Sequence, residues 1–295
     1  MARIVLVGEA MLELTRVGAD WRMGYGGDTL NTAIHLARAG HDVSYLTALG
    51  SDLPSATLTA QWTAEALDTS LVLHHPTRNT GLYTINTDAA GERSFTYWRE
   101  TSAAREMFAL PAMADALKRA SEADLVGFSL ISLAILPQQA RERLLAFAHG
   151  IRARGGQVAF DGNYRPRLWA DVRDARRVRD AAIACATIGL PTLDDEAMLS
   201  GEQDWDAVAS HWRDLGCAET VVKAGAQGCR LPDGEIIPPV EVLAPIDTSG
   251  AGDAFNAGYL GARLNGADPA AAARAGHLLA GWTIMRPGAL PQRLA

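Results

Sequence analysis

The chain has 295 residues, 48% of them apolar and 21% charged, an ordinary globular balance with ample material for a large core. Its net charge is −7, with no run of Lys and Arg. This argues against nucleic acid or an anionic membrane surface as a partner and leaves an anionic substrate to be held by a few local cations.

The opening MARIVLVGE runs straight into a strand-like segment, without an apolar leader and small-residue cleavage site. The most apolar stretch, Val126 to Leu136, carries two serines and is far short of a membrane span. Cys185, Cys217 and Cys229 form no CxxC pair and leave one thiol over, which fits buried, reduced cysteines and a cytoplasmic location. No internal repeat or low-complexity tract is present.

In chain order, Arg3 to Gly8 (RIVLVG) is a continuous apolar run, the pattern of a strand buried on both faces of a parallel sheet. No GxGxxG follows it, so a dinucleotide site loses its fingerprint where it should stand. Glu13 to Gly27 alternates around Leu14, Trp21 and Tyr25 and is expected to form short strands of a small second sheet. Gly26, Gly27 and Asp28 then lead into a helical pattern through Asn31, Ile34 and Ala37 that stops at Gly40. His41 to Gly50 reads as a strand and Leu58 to Leu67 as a helix. Between Leu71 and Tyr97 the texture changes: Leu82, Tyr83 and Ile85, then Phe95 and Tyr97, alternate around the turn Asp88, Ala89, Ala90, Gly91, a hairpin signal. Two to four antiparallel strands from this region and from residues 13 to 25 would form a lid over an edge of the main sheet. His74 and His75 lack metal-ligand spacing, so no zinc site is read there.

From Ala123 the alternation is regular. DLVGFS is a strand, Gln138 to Arg154 an amphipathic helix, QVAFDGN a strand, Arg173 to Cys185 a helix and ATIGLP a short strand. That is the succession of parallel βαβ units, whose ligand groups lie at the carboxyl ends of the strands, where Asp161, Asn163 and Arg165 fall. ETVVKAGAQG (Glu219 to Gly228) is a strand followed by a glycine-containing loop, and Ala270 to Met285 is a helix.

The most informative stretch is Asp247 to Gly258, DTSGAGDAFNAG. Gly250, Ala251 and Gly252 precede Asp253, and an Ala- and Gly-rich helix follows. Bare amides of a first helical turn, with the dipole behind them, form an anion site, and glycine lets the anion approach the backbone. A carboxylate at that positive end is expected to keep its charge and to be available as a proton acceptor. Residue types alone leave open a plain capped helix start, with Asp247 and Ser249 as cap candidates.

The full string resembles the C-terminal signature of the PfkB (ribokinase-like) sugar kinases. The resemblance implies that the Gly250, Ala251, Gly252 backbone holds the transferred phosphate and that Asp253 is the base. GGDTLNTAIHLARAG is similar to the family's N-terminal region, which turns Gly27, Asp28 and Asn31 toward the sugar. GLYTI, FTYWRE and DGNYRPRLW together resemble the 2-keto-3-deoxygluconate kinases within the family, and so imply that Tyr83, Tyr97, Arg99 and Arg165 contact an open-chain sugar acid. Two guanidinium groups able to bind a carboxylate through paired N–H bonds suit an anionic substrate on an acidic protein. The nucleotide side is implied to include Asn163, Thr192, Lys223, Gly225, Gly228, Ser249 and His277. PTLDDE (Pro191 to Glu196) stands where many members carry NxxE, which aligns Thr192 and Asp195 and implies Asp195 as a magnesium ligand.

The expectation is one α/β/α domain over residues 1–295, with a mostly parallel central sheet and lid strands inserted at about 13–25 and 71–100. Its substrates would be ATP with Mg2+ and a sugar acid, with room for a monovalent cation, and it would form a homodimer or higher homo-oligomer through the lid. Rival readings are a kinase for fructose or 5-dehydro-2-deoxygluconate, a nucleoside kinase, and a noncatalytic sugar-acid sensor.

Overall fold

The computed structural model describes residues 2–87 and 93–292. Elements in chain order are β1 (Arg3–Val7), β2 (Met11–Val17), β3 (Asp20–Gly26), α1 (Asp28–Arg38), β4 (Asp42–Leu49), α2 (Leu53–Ala64), β5 (Val72–His74), β6 (Gly81–Thr87), β7 (Arg93–Trp98), α3 (Met113–Ala120), β8 (Leu125–Ser129), α4 (Leu130–Ile135), α5 (Gln138–Ala153) and β9 (Gln157–Asp161). They continue with α6 (Val172–Cys185), β10 (Ile188–Gly189), α7 (Leu193–Ser200), α8 (Trp205–Asp214), β11 (Glu219–Thr220), β12 (Val222–Lys223), β13 (Cys229–Arg230), β14 (Ile236–Ile237), α9 (Ala251–Leu264) and α10 (Pro269–Ile284).

Seven strands form the central sheet in the order β11-β10-β9-β8-β1-β4-β5, and each pairing within it is parallel. The apolar run of β1 is divided residue by residue between two cores: Val5 and Val7 pack on one face, Ile4 and Leu6 on the other. A strand covered on both sides has no polar alternation to show. Helices α3 to α6 cover the first face and α1, α9 and α10 the second, giving three layers. Between α9 and α10 the approach is close because Gly258 has no side chain; a β-carbon there would fall 2.6 Å from the Ala275 carbonyl oxygen.

The lid is a four-stranded sheet in the order β3-β2-β6-β7. Its two hairpins are antiparallel, but β2 joins β6 in parallel, Met11 opposite Gly81. Strand β2 follows directly from β1 and β6 follows from β5, so both leave the parallel central sheet in the same direction. The turn expected at Asp88 to Gly91 lies outside the described residues. Two further differences concern boundaries. Helix α2 starts earlier than the periodicity indicates, because Asp52 caps it by accepting the Ser55 amide at 2.9 Å, ahead of Pro54 in the first turn. The run Val126 to Leu136 is strand β8 and then α4, broken at Ser129, which forms a capping box with Ser132.

Candidate active site

The chain leaves β1 toward β4 on one side and later adds β8 to β11 on the other, so the strand order reverses beside β1. Ligand sites of open α/β sheets form at such a point, outside the carboxyl ends of the strands. Here Glu9 follows β1 and Asp161 ends β9, and both line a cleft of about 1770 Å³ that extends under the lid and along the starts of α1 and α9. All the candidate residues named from the sequence line this one cleft.

One corner is built for an anion. Gly250, the residue capping α9, has φ 71°, and a β-carbon on it would lie 2.6 Å from that of Ala289. The buried Asp247 carboxylate accepts the Ser249 amide at 3.0 Å and also the Gly288 amide, tying the turn to the C-terminal segment. The first intrahelical bond runs from the Ala254 amide to the Gly250 carbonyl at 2.8 Å, so the Gly252 and Asp253 amides belong to the turn ahead of it, at the positive end of the dipole. The ammonium of Lys223 reaches the same turn, 3.9 Å from where a β-carbon on Gly252 would stand. Lys223 is buried and donates to Asn256 Oδ1 at 2.9 Å and to Asp161 Oδ1 at 3.3 Å.

Asp253, in the first turn of α9, is buried and accepts a hydrogen bond from Asn31 Nδ2 at 2.8 Å. Its pKa is pushed up to about 8, first by burial and next by the Asp28 carboxylate, with Asp161 adding to the rise; the Asn31 hydrogen bond and Lys223 oppose it. Desolvation and two acidic neighbours thus work against the charge that the helix start was expected to preserve. Asp28 is itself raised by burial, with a hydrogen bond from Ser129 opposing.

On the lid side, Tyr83 stacks on Tyr97 with ring centroids 5.8 Å apart, and the Tyr83 hydroxyl donates to Glu13. Arg99, expected to contact the sugar acid, lines the cleft and is buried in an ion pair: its Nε donates to Glu9 Oε2 at 2.8 Å, Nη2 reaches the same oxygen, and Ser102 donates to Oε1. The Arg165 side chain is half exposed, bonded to the Tyr164 carbonyl at 2.7 Å and to Asp195 Oδ1 at 3.2 Å. It thus carries less compensation than Arg99.

The residues expected on the nucleotide side have the following partners. Asn163 donates to Asp28 at 3.1 Å and so joins the α1 side of the cleft. His277 donates from Nε2 to the Ile237 carbonyl at 3.0 Å and meets the Phe255 ring edge-on at 5.0 Å. Burial pushes its pKa down, so it acts as a neutral wall. Gly225 opens a tight turn with φ 55°, and Thr192 stands at the start of α7.

Asp195, read as a metal ligand, is turned to Arg165, and burial pushes its pKa up to about 6 against the pull of that guanidinium. Among the described residues no group of three His, Cys, Asp or Glu is disposed to hold a metal ion. The oxygen donors of Asp28, Asp161, Asp195 and Asp253 fit a hard cation that takes most of its ligands from phosphates and water.

Glu9 and Asn256 are missing from the residues singled out, and Asp161, placed at a strand's carboxyl end, was given no ligand role. Glu9 carries the signal used for Asp161, a position just past the carboxyl end of a parallel strand. Asn256 lies three residues after Asp253, on the same face of α9.

A parallel sheet flanked by helices, a lid of strands, and a helix start that joins bare amides, an ammonium and a buried carboxylate define a ribokinase-like phosphotransferase. The pfkB carbohydrate kinase family matches residues 1–293, and the chain belongs to that family. It is 42% identical over 297 residues to a 2-dehydro-3-deoxygluconokinase of Dickeya dadantii, covering 97% of this chain and 96% of the relative. Among solved structures, a PfkB protein from Polaromonas sp. JS666 superposes with a TM-score of 0.84 at 27% identity, covering 97% of this chain and 96% of that one. Aminoimidazole riboside kinase from Salmonella enterica, complexed with aminoimidazole riboside and an ATP analogue, gives 0.82 at 25% identity, with coverages of 98% and 95%.

Proposed function

We propose that the chain transfers the γ-phosphoryl group of ATP to the 6-hydroxyl of 2-dehydro-3-deoxy-D-gluconate. The observation that carries the chemistry is the Asp253 carboxyl beside the amides of Gly252 and its own residue, with the Lys223 ammonium at the same turn. The sugar hydroxyl oxygen attacks the γ-phosphorus, the bond from that phosphorus to the oxygen shared with the β-phosphate breaks, and the hydroxyl proton passes to Asp253. The α9 turn and Lys223 stabilise charge on the group in transit. A magnesium ion bound with ATP would neutralise the phosphate oxygens, with Asp161 and Asp195 as the nearby carboxylates. The lid closes over the sugar and keeps out water that would otherwise accept the phosphoryl group.

The substrate assignment is supported by the identity to 2-dehydro-3-deoxygluconokinase over nearly the full chain and by two arginines in the cleft. Arg165 has the more open guanidinium for the sugar carboxylate, with Arg99 held behind the lid aromatics. ADP release measured against 2-dehydro-3-deoxygluconate, its C4 epimer, fructose and ribose tests this. Turnover confined to the keto-deoxy acids is expected; equal turnover on fructose would replace the assignment by a neutral-sugar kinase, and absence of sugar-dependent ADP release would indicate a sensor.

The lid also offers a face for a second copy of the chain. Trp21 (49%), Met23 (46%) and Trp98 (54%) are exposed on it, an apolar concentration that favours burial against a partner.

A further inference from the structure

Asn256 sits one turn beyond Asp253 on α9 and is only 3% exposed. Its Nδ2 donates to Asp161 Oδ2 at 2.9 Å, and its Oδ1 accepts from Lys223 Nζ at 2.9 Å. With the 3.3 Å contact between Lys223 and Asp161 Oδ1, amide, carboxylate and ammonium form a closed ring of three that joins α9, β9 and β12. The Asn256 amide donates to the carboxylate from its nitrogen and accepts from the ammonium at its oxygen without adding charge. A direct pair of Lys223 with Asp161 would draw the ammonium toward β9. The ring instead fixes it at two points, with Nζ beside Gly252.

We propose that Asn256 is a positioning residue that holds the Lys223 ammonium at the phosphate-binding turn, so that loosening it weakens nucleoside triphosphate binding and spares the sugar acid. The inference rests on the kinase reading given above and extends it to a residue that touches neither substrate. It separates Asn256 from Asp253: the helix supplies the base from one turn and the anchor of the cation from the next.

Titration calorimetry with a nonhydrolysable ATP analogue plus Mg2+, and separately with 2-dehydro-3-deoxygluconate, tests it. Asn256→Leu, close in volume but unable to hydrogen-bond, is expected to bind the analogue about tenfold or more weakly, the loss of one charge-assisted bond. Its affinity for the sugar acid should stay within about twofold. Unchanged analogue binding, or an equal loss for both ligands, would overturn the proposal, the latter making Asn256 a packing residue. Should Asn256→Leu not fold, Asn256→Asp and the exchanged pair Asp161→Asn with Asn256→Asp decide. Both are titrated with the analogue in the absence of Mg2+, since Asp161 also stands near the metal: the single variant places two carboxylates on one ammonium and weakens the analogue, and the exchange restores binding; an exchanged pair no better than the single variant contradicts the proposal. Wild-type protein that binds the analogue but not the sugar acid would remove the substrate assignment while leaving the nucleotide comparison to decide Asn256.

Discussion

Asn31 Nδ2 lies 2.8 Å from Asp253 Oδ2, a buried hydrogen bond between residues 222 positions apart. It links the first helix of the chain to the helix that carries the proposed base, and it stabilises the ionised form of Asp253. Asn31→Leu should therefore raise the Asp253 pKa above about 8 and move the acid limb of kcat/KM to higher pH. Asp28→Asn removes a charge that raises the same pKa, so its limb should move down. Initial rates from pH 5.5 to 9.5 at saturating ATP, with ~0.5-unit steps, give both directions. Limbs that do not move, or move together, would detach them from Asp253.

Asp253→Asn tests the base itself and its cost to the fold. Turnover should fall by about a thousandfold or more, since a positioned base commonly contributes 10²–10⁴-fold. Stability should rise. A carboxyl whose pKa is about 8 when folded and near 4 when unfolded opposes folding above pH 4, and the penalty grows until about pH 8. The variant should accordingly unfold at a higher temperature than wild type at pH 8, with the difference shrinking toward pH 5; calorimetric melting at the two pH values measures it.

Glu9 and Arg99 are 2% and 8% exposed. Glu9→Ala would leave a buried guanidinium without its carboxylate, at a cost of about 3–5 kcal/mol. Urea denaturation should show that loss as a lower midpoint, with Glu9→Gln intermediate because it keeps an acceptor. A Glu9→Ala midpoint equal to wild type would mean that the pair contributes nothing to the fold.

Gly250→Ala addresses the turn. The left-handed φ of 71° and the 2.6 Å approach to Ala289 leave no space for a methyl. The turn must shift, and kcat is expected to fall by at least about tenfold, on the scale of a misplaced transition-state contact. Steady-state rates and the ATP KM check this; wild-type kcat would show that the turn tolerates displacement.

The lid face predicts an assembly. Trp98→Asp places a charge on a side chain 54% exposed in the monomer, and sedimentation velocity should show a smaller species than wild type. A wild-type monomer at micromolar concentration would remove the interface.

Much of this arrangement was legible in residue order. The β1 run is uninterrupted because it is buried on both faces, and GAGD announces itself because a tight turn, a helix start and an acid fall within four residues. The path of β2 beside β6 was not legible, since a parallel pairing of strands 70 residues apart leaves no turn between them to read. The compensation of Arg99 was hidden in the same way: its partner Glu9 is 90 residues away, and nothing in FTYWRE distinguishes a paired guanidinium from a free one. The Asp253 pKa depends on Asp28 and Asp161, which approach it only through the fold. Local motif chemistry indicated a charged aspartate, and burial works against that charge.

The most direct test is a crystal structure with a nonhydrolysable ATP analogue, Mg2+ and 2-dehydro-3-deoxygluconate. The account predicts the terminal phosphate within hydrogen-bond distance of the Gly252 amide and the sugar 6-hydroxyl against the Asp253 carboxylate. A terminal phosphate bound away from residues 250 to 253, or a sugar that turns another hydroxyl to Asp253, would contradict it.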